Sequence, residues 1–153
     1  MVLGIGNLLL GDEGVGVRAA RRLEESDLKA RALIVDGGTG GFQLLSFFSE
    51  HDRIIMIDAA ADGRPSGTVS LLRPKFARDF PKSLSAHDIG LKDLIEAASL
   101  LGGLPDISLI TVSVETIQPM TLDLSPPVEA ALPEIERIVR ALLARAEAAP
   151  AAD

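Results

Sequence analysis

Cysteine is missing from the 153 residues, as are tryptophan and tyrosine. The first absence excludes disulfides, thiolate metal sites and a cysteine nucleophile. The second leaves an aliphatic core, with five phenylalanines as its only large aromatics. A basic stripe is lacking too: 15 Lys and Arg face 22 acids, for a net charge of −7. Neither the charge nor the stacking residues of a nucleic-acid binder are present. No apolar run approaches the roughly 18 residues of a membrane span, and no basic segment precedes Met1-Val2-Leu3-Gly4 as a secretion signal requires. A cytoplasmic protein is the expectation. No G-x-S-x-G turn and no H-E-x-x-H pair is found either, which removes two common hydrolase signatures.

What the chain has is apolar mass and glycine. Hydrophobic residues make up 47%, and a chain of this length can bury about 68–70% of its unfolded surface in one domain. That domain is expected over residues 1–143, with the alanine-rich residues 144–153 as a frayed tail. Its opening run is Gly4-Ile5-Gly6-Asn7-Leu8-Leu9-Leu10-Gly11-Asp12-Glu13-Gly14-Val15-Gly16: a short strand, a glycine loop, two acids and a helix. Such loops usually serve a phosphate, but Leu9 occupies the third glycine position of the dinucleotide fingerprint. No Lys-Ser or Lys-Thr pair follows, so a triphosphate loop is excluded as well. Asp12 and Glu13 put negative charge where an anion would otherwise dock. They suit a cation, or merely complement the helix dipole at about 0.3–1 kcal/mol each.

Farther along, Val15, Ala19, Ala20 and Leu23 recur at helical spacing, and the helix ends at Ser26-Asp27. Ala32-Leu33-Ile34-Val35 reads as a strand buried on both faces, stopping at the second glycine loop, Asp36-Gly37-Gly38-Thr39-Gly40-Gly41. Phe42 to Phe48 reads as a helix, and Arg53 to Ile57 as a strand ending on Asp58. His51 reads as solvated surface. Gly67 to Leu72 is expected as an edge strand, and Arg73 to Leu84 as a long loop. Ser85-Ala86-His87-Asp88 has capping-box spacing and opens a helix with Leu91, Leu94, Ile95, Ala98 and Leu101 on one face. Ile107 to Val114 is the last strand, and one final helix starts within Asp123 to Pro127. Strands alternating with helices imply parallel βαβ units. The fold class is therefore α/β, a three-layer α/β/α sandwich around a mostly parallel twisted five-stranded sheet.

Ligands of parallel α/β sheets bind outside the carboxyl ends of the strands. Glu13, Asp36, Asp58 and Glu115 each follow a strand there. Like charges so gathered resist joint ionisation, so a cation is expected among them, and no Lys or Arg is adjacent in sequence. Near the positive end of a helix dipole, His87 stays neutral more readily. Two carboxylates and an imidazole suit a borderline divalent ion such as zinc or nickel. Against that, Asp58 could cap a turn, Asp36 could hold its loop by an Asx bond, and His87 could be bonded locally.

The motifs GIGNLLLGDEGVGV, VDGGTGG (Val35 to Gly41), IDA (Ile57 to Ala59), SAHDIGL (Ser85 to Leu91) and Leu124-Ser125-Pro126-Pro127-Val128 resemble, in order and spacing, those of the nickel–iron hydrogenase maturation endopeptidases. The resemblance covers roughly residues 1 to 140. It implies an endopeptidase that trims the C-terminal extension of a hydrogenase large-subunit precursor once nickel is installed. It implies that Glu13, Asp58 and His87 contact the metal. Asp36, Gly37, Gly38, Thr39 and Gly40 would line the cleft for the precursor tail; Glu115 would face the substrate or support residues that do. The nickel would come with the substrate, zinc or another divalent ion being a possible substitute, and the enzyme would act as a monomer. Two other classes stay open from the residues: a nucleotide-binding module with Asp36 on a ribose, and a non-catalytic metal-capture chaperone.

Overall fold

Five strands form one sheet in the order β2-β1-β3-β5-β4. The computed structural model describes residues 1–81, 91–115 and 120–148. The strands are β1 (Val2–Gly4), β2 (Ile34–Asp36), β3 (Arg53–Ala60), β4 (Val69–Leu72) and β5 (Asp106–Ser113). All pairings are parallel except β4 with β5, which is antiparallel. The parallel pairs need covered crossovers, and α1 (Val15–Glu24), α2 (Leu45–Glu50) and α3 (Leu91–Leu101) lie in them, while α4 (Pro126–Glu129) and α5 (Leu132–Ala148) follow the last strand.

Alternation along each strand sorts the core into two halves. Val2, Ile55, Ile57, Ile110 and Val112 meet Val15, Ala19 and Leu23 of α1 and Ile135, Val139 and Leu143 of α5. Leu3, Ile5, Ile54, Met56, Ile107 and Leu109 meet Phe48 of α2, Ile95 and Ala98 of α3, and Phe80. This is the three-layer sandwich with a mostly parallel five-stranded sheet.

Several boundaries differ from the sequence reading. β2 is an edge strand, so Leu33 is 52% exposed just before it and Val35 is only half-buried. β3 runs two residues past Asp58, because its ladder with β5 continues through Ala59↔Val112 and Ala60↔Ser113. The segment from Phe42 begins with a 3-10 turn, Phe42–Leu44, before α2. The final helix is two helices, α4 and α5. Pro133 explains the break: it has no N–H, and its ring conflicts with the carbonyl four residues back, so a helix passing from Glu129 cannot continue through it. α5 also reaches Ala148, beyond the tail expected from 144, with Glu147 held by Arg31 at 2.9 Å. His51 is half-buried and stacks on Phe47, with ring centroids 6.3 Å apart.

Candidate active site

The first glycine loop allows an approach that side chains would forbid. A Cβ on Gly16 would lie 2.2 Å from the carbonyl oxygens of both Ile5 and Ile57. One on Gly4 would lie 2.1 Å from Gly16 O, and one on Gly6, at φ +149°, would lie 2.0 Å from Glu13 O. Backbone contacts this close tolerate only glycine. They bring the start of α1 down onto the carboxyl ends of β1 and β3, next to Asp58.

Glu13 lies in the 3-10 turn Gly11–Gly14 that precedes α1 and is 3% exposed. Asp58 is fully buried, and its Oδ1 accepts the N–H of Ala59 at 2.8 Å. By strand alternation Asp58 shares the face of Ile54 and Met56, so it points to the side covered by α2 and α3. Two buried carboxylates at one sheet edge require charge or hydrogen-bond compensation.

Asp12, beside Glu13, has a different task. It is 1% exposed, and its Oδ1 accepts the backbone N–H of Ser125 at 2.6 Å. Ser125 is the residue before α4, so Asp12 holds that helix start against the loop. Gly11 N–H donates to Thr121 O at 2.9 Å in the same seam. A partner 113 positions away leaves no trace in local spacing.

The second glycine loop is fastened to the first. Gly37 N–H donates to Gly4 O at 2.8 Å, and Gly6 N–H to Gly38 O at 2.7 Å. Gly38, Gly40 and Gly41 have φ of +53°, +81° and +106°, values that side chains rarely adopt. Asp36 makes the Asx bond: its Oδ1 accepts Gly38 N–H at 2.9 Å. Its Oδ2 accepts Arg21 Nε and Nη2 at 3.0 and 2.8 Å. The acid thus has a cation after all, supplied by α1 rather than by its sequence neighbours. That also takes up the carboxylate a nucleotide ribose would need. Thr39 is exposed at the loop's tip, and Gly40 is half-exposed.

Glu115 is exposed two residues past β5. His87 lies outside the described residues, as do Ser85 and Asp88. The structure therefore brings Glu13, Asp58 and the Asp36 loop to one sheet edge. Among the described residues no three His, Asp or Glu side chains are placed to hold a metal ion. The two buried carboxylates, Glu13 and Asp58, are oxygen donors of the kind a divalent ion takes.

A sequence model of the family described as "Hydrogenase maturation protease" matches residues 17–142. A hydrogenase expression/formation protein, HupD, of Rhizobium leguminosarum bv. viciae is 37% identical over 149 residues, 93% of this chain and 73% of that protein. The hydrogenase 2 maturation protease of Escherichia coli (strain K12) is 35% identical over 93% of this chain and 89% of its own length. Among solved structures, the hydrogenase maturating endopeptidase HybD from E. coli superposes with a TM-score of 0.77 at 36% identity. That match covers 92% of this chain and 90% of the other. A [NiFe] hydrogenase maturation protease from Thermococcus kodakarensis gives 0.75 at 25% identity, covering 93% and 97%.

Proposed function

The chain belongs to the hydrogenase maturation protease family, and from that premise we propose that it removes the C-terminal extension of a nickel–iron hydrogenase large-subunit precursor after nickel insertion. Its endopeptidase activity follows from the family; the substrate, the timing and the residues that act are this proposal. The observation that carries it is the burial of Glu13 and Asp58, 3% and 0% exposed, at the carboxyl edge of β1 and β3. The carboxyl edge of a parallel sheet is where ligands bind, and carboxylate oxygens there suit a divalent cation brought by the substrate.

In this reading Glu13 and Asp58, with His87, contact nickel already held in the precursor. A divalent ion held there would supply Lewis-acid chemistry, polarising the scissile carbonyl or lowering the pKa of a water. The protein's own part is positional. The turn Gly11–Gly14 holds Glu13, the β3–β5 ladder holds Asp58, and the glycine loop 37–41 offers backbone to the precursor tail. Nothing in the chain supplies a thiolate, so it binds nickel weakly by itself. The enzyme acts as a monomer in the cytoplasm; no helix among the described residues is long and apolar enough to cross a membrane.

The test is incubation with nickel-loaded and nickel-free precursor, followed by mass. Cleavage of the loaded form alone supports the reading. Cleavage of both, with one tightly held ion per purified chain, would replace it with a self-contained metalloprotease.

A further inference from the structure

Beside Asp58 the structure places a polar group that the reading above does not use. Thr111 on β5 is the register partner of Asp58 on β3. Neighbouring strands lie about 4.8 Å apart, and register partners in a parallel ladder show the same face. Thr111 shares that face with Ile107 and Leu109, as Asp58 does with Ile54 and Met56. Each strand thus turns from apolar to polar at the same level, on the edge where Glu13 lies.

Thr111 is 1% exposed, and its Oγ1 has no hydrogen-bond partner among the described residues. A buried hydroxyl left without one costs about 1–3 kcal/mol. An isosteric valine would avoid that cost and is the favoured residue in such a strand. Unsatisfied groups of this kind are usually served by an internal water making two to four hydrogen bonds. Peptide hydrolysis consumes a water.

We infer that Thr111 is a positioning residue: its hydroxyl and the Asp58 carboxylate together hold the water that attacks the scissile carbonyl. The inference rests on the site reading above. Hydrolysis joins that water's oxygen to the carbonyl carbon and breaks the C–N bond. Both water protons end on the freed amine, which becomes an ammonium, and the new C-terminus is a carboxylate. Thr111 exchanges no proton in the balance; it fixes where the oxygen waits.

The experiment is single-turnover processing of nickel-loaded precursor at a series of enzyme concentrations, for the wild type, Thr111→Val, Thr111→Ser and Asp58→Asn. For Thr111→Val the maximal rate is expected to fall about 10–100-fold, the loss typical of groups that support a reacting centre. Its half-saturating enzyme concentration stays at the wild-type value, and its melting temperature is equal or higher. Thr111→Ser, which keeps the hydroxyl, recovers most of the rate. A Thr111→Val enzyme at the wild-type rate overturns the inference, and so does a Thr111→Ser enzyme as slow as it. A slow Thr111→Val enzyme that also melts lower assigns the hydroxyl to the fold and overturns it equally. Asp58→Asn separates the two ideas: full processing by that variant sinks the site reading itself, whereas its loss beside a normal Thr111→Val sinks only the water.

Discussion

Asp58 is a carboxylate with no exposed surface, and a charged group is costlier to bury than a neutral amide. Asparagine has the same shape and would be cheaper there. Asp58→Asn should therefore keep its circular dichroism spectrum while precursor processing falls by on the order of 100-fold or more, as when a charged group is removed from a reacting centre. Asp36 differs, since it is bonded to Arg21 and to Gly38 N–H. Asp36→Asn keeps the Asx acceptor and loses only a solvent-screened ion pair, worth up to about 1 kcal/mol. Asp36→Ala loses both, and its melting temperature should be clearly the lower of the two. If the asparagine variant folds but cannot process, the carboxylate itself meets the precursor. At Gly40 the space is open, with Leu44 Cδ1 4.0 Å from where a Cβ would stand, but φ is +81°. Gly40→Val consequently reports strain first and crowding second. Gly40→Asn enters that region more readily and should melt nearer the wild type, isolating whatever effect remains on cleavage.

At the level of elements, the seam between α1 and the sheet has no slack. Gly16→Ala would press a methyl onto two carbonyl oxygens, and backbone cannot give way as a side chain can. The expected loss is at or beyond the upper end of the usual overpacking cost of about 1–3 kcal/mol, read by chemical denaturation. α5 is held differently, by charge. Arg140 bonds Asp27, in the turn after α1, and Glu136 one helical turn back. The Arg140 guanidinium holds both carboxyls below their ordinary range, as Arg31 does for Glu147. A carboxyl whose folded pKa is depressed adds stability above its unfolded pKa, about 4 to 4.5, and loses it as pH falls through the folded value. Melting temperature should thus be flat from about pH 7 to pH 5 and fall below about pH 4. Arg140→Gln should make that fall shallower; an unchanged slope would show that the α5 pairs contribute nothing.

For the molecule as a whole, a site completed by its substrate predicts a weak response to free metal. Excess nickel salt should move the melting temperature by no more than about 2 °C, under about 1 kcal/mol for a domain of this size. How much of the molecule is readable from its sequence follows the range of the interactions. Strand and helix order, the parallel sheet and the acids at its carboxyl edge are local patterns, and they are visible in the chain. The edge position of β2 depends on strand order, which Ala32 to Val35 cannot encode. Asp12 and Arg21 find partners 113 and 15 residues away, so neither looks special in its own segment. The split between α4 and α5 is written in Pro133 but hidden by the continuous apolar stripe around it.

The strand order also sets a sequence in time. β1 lies between β2 and β3, so residues 1–60 contain every strand that brings Glu13 and Asp58 to one edge. The neighbour that buries Asp58 from the other side, β5, leaves the ribosome some fifty residues later, at Asp106–Ser113, given that synthesis runs from the N-terminus at about 5–20 residues per second. If β1, β2 and β3 pair before then, the two acids sit for those seconds on an unfinished sheet, open to water and to any cation in it. Full burial of Asp58 needs β5, whose Thr111 lies beside it in the ladder.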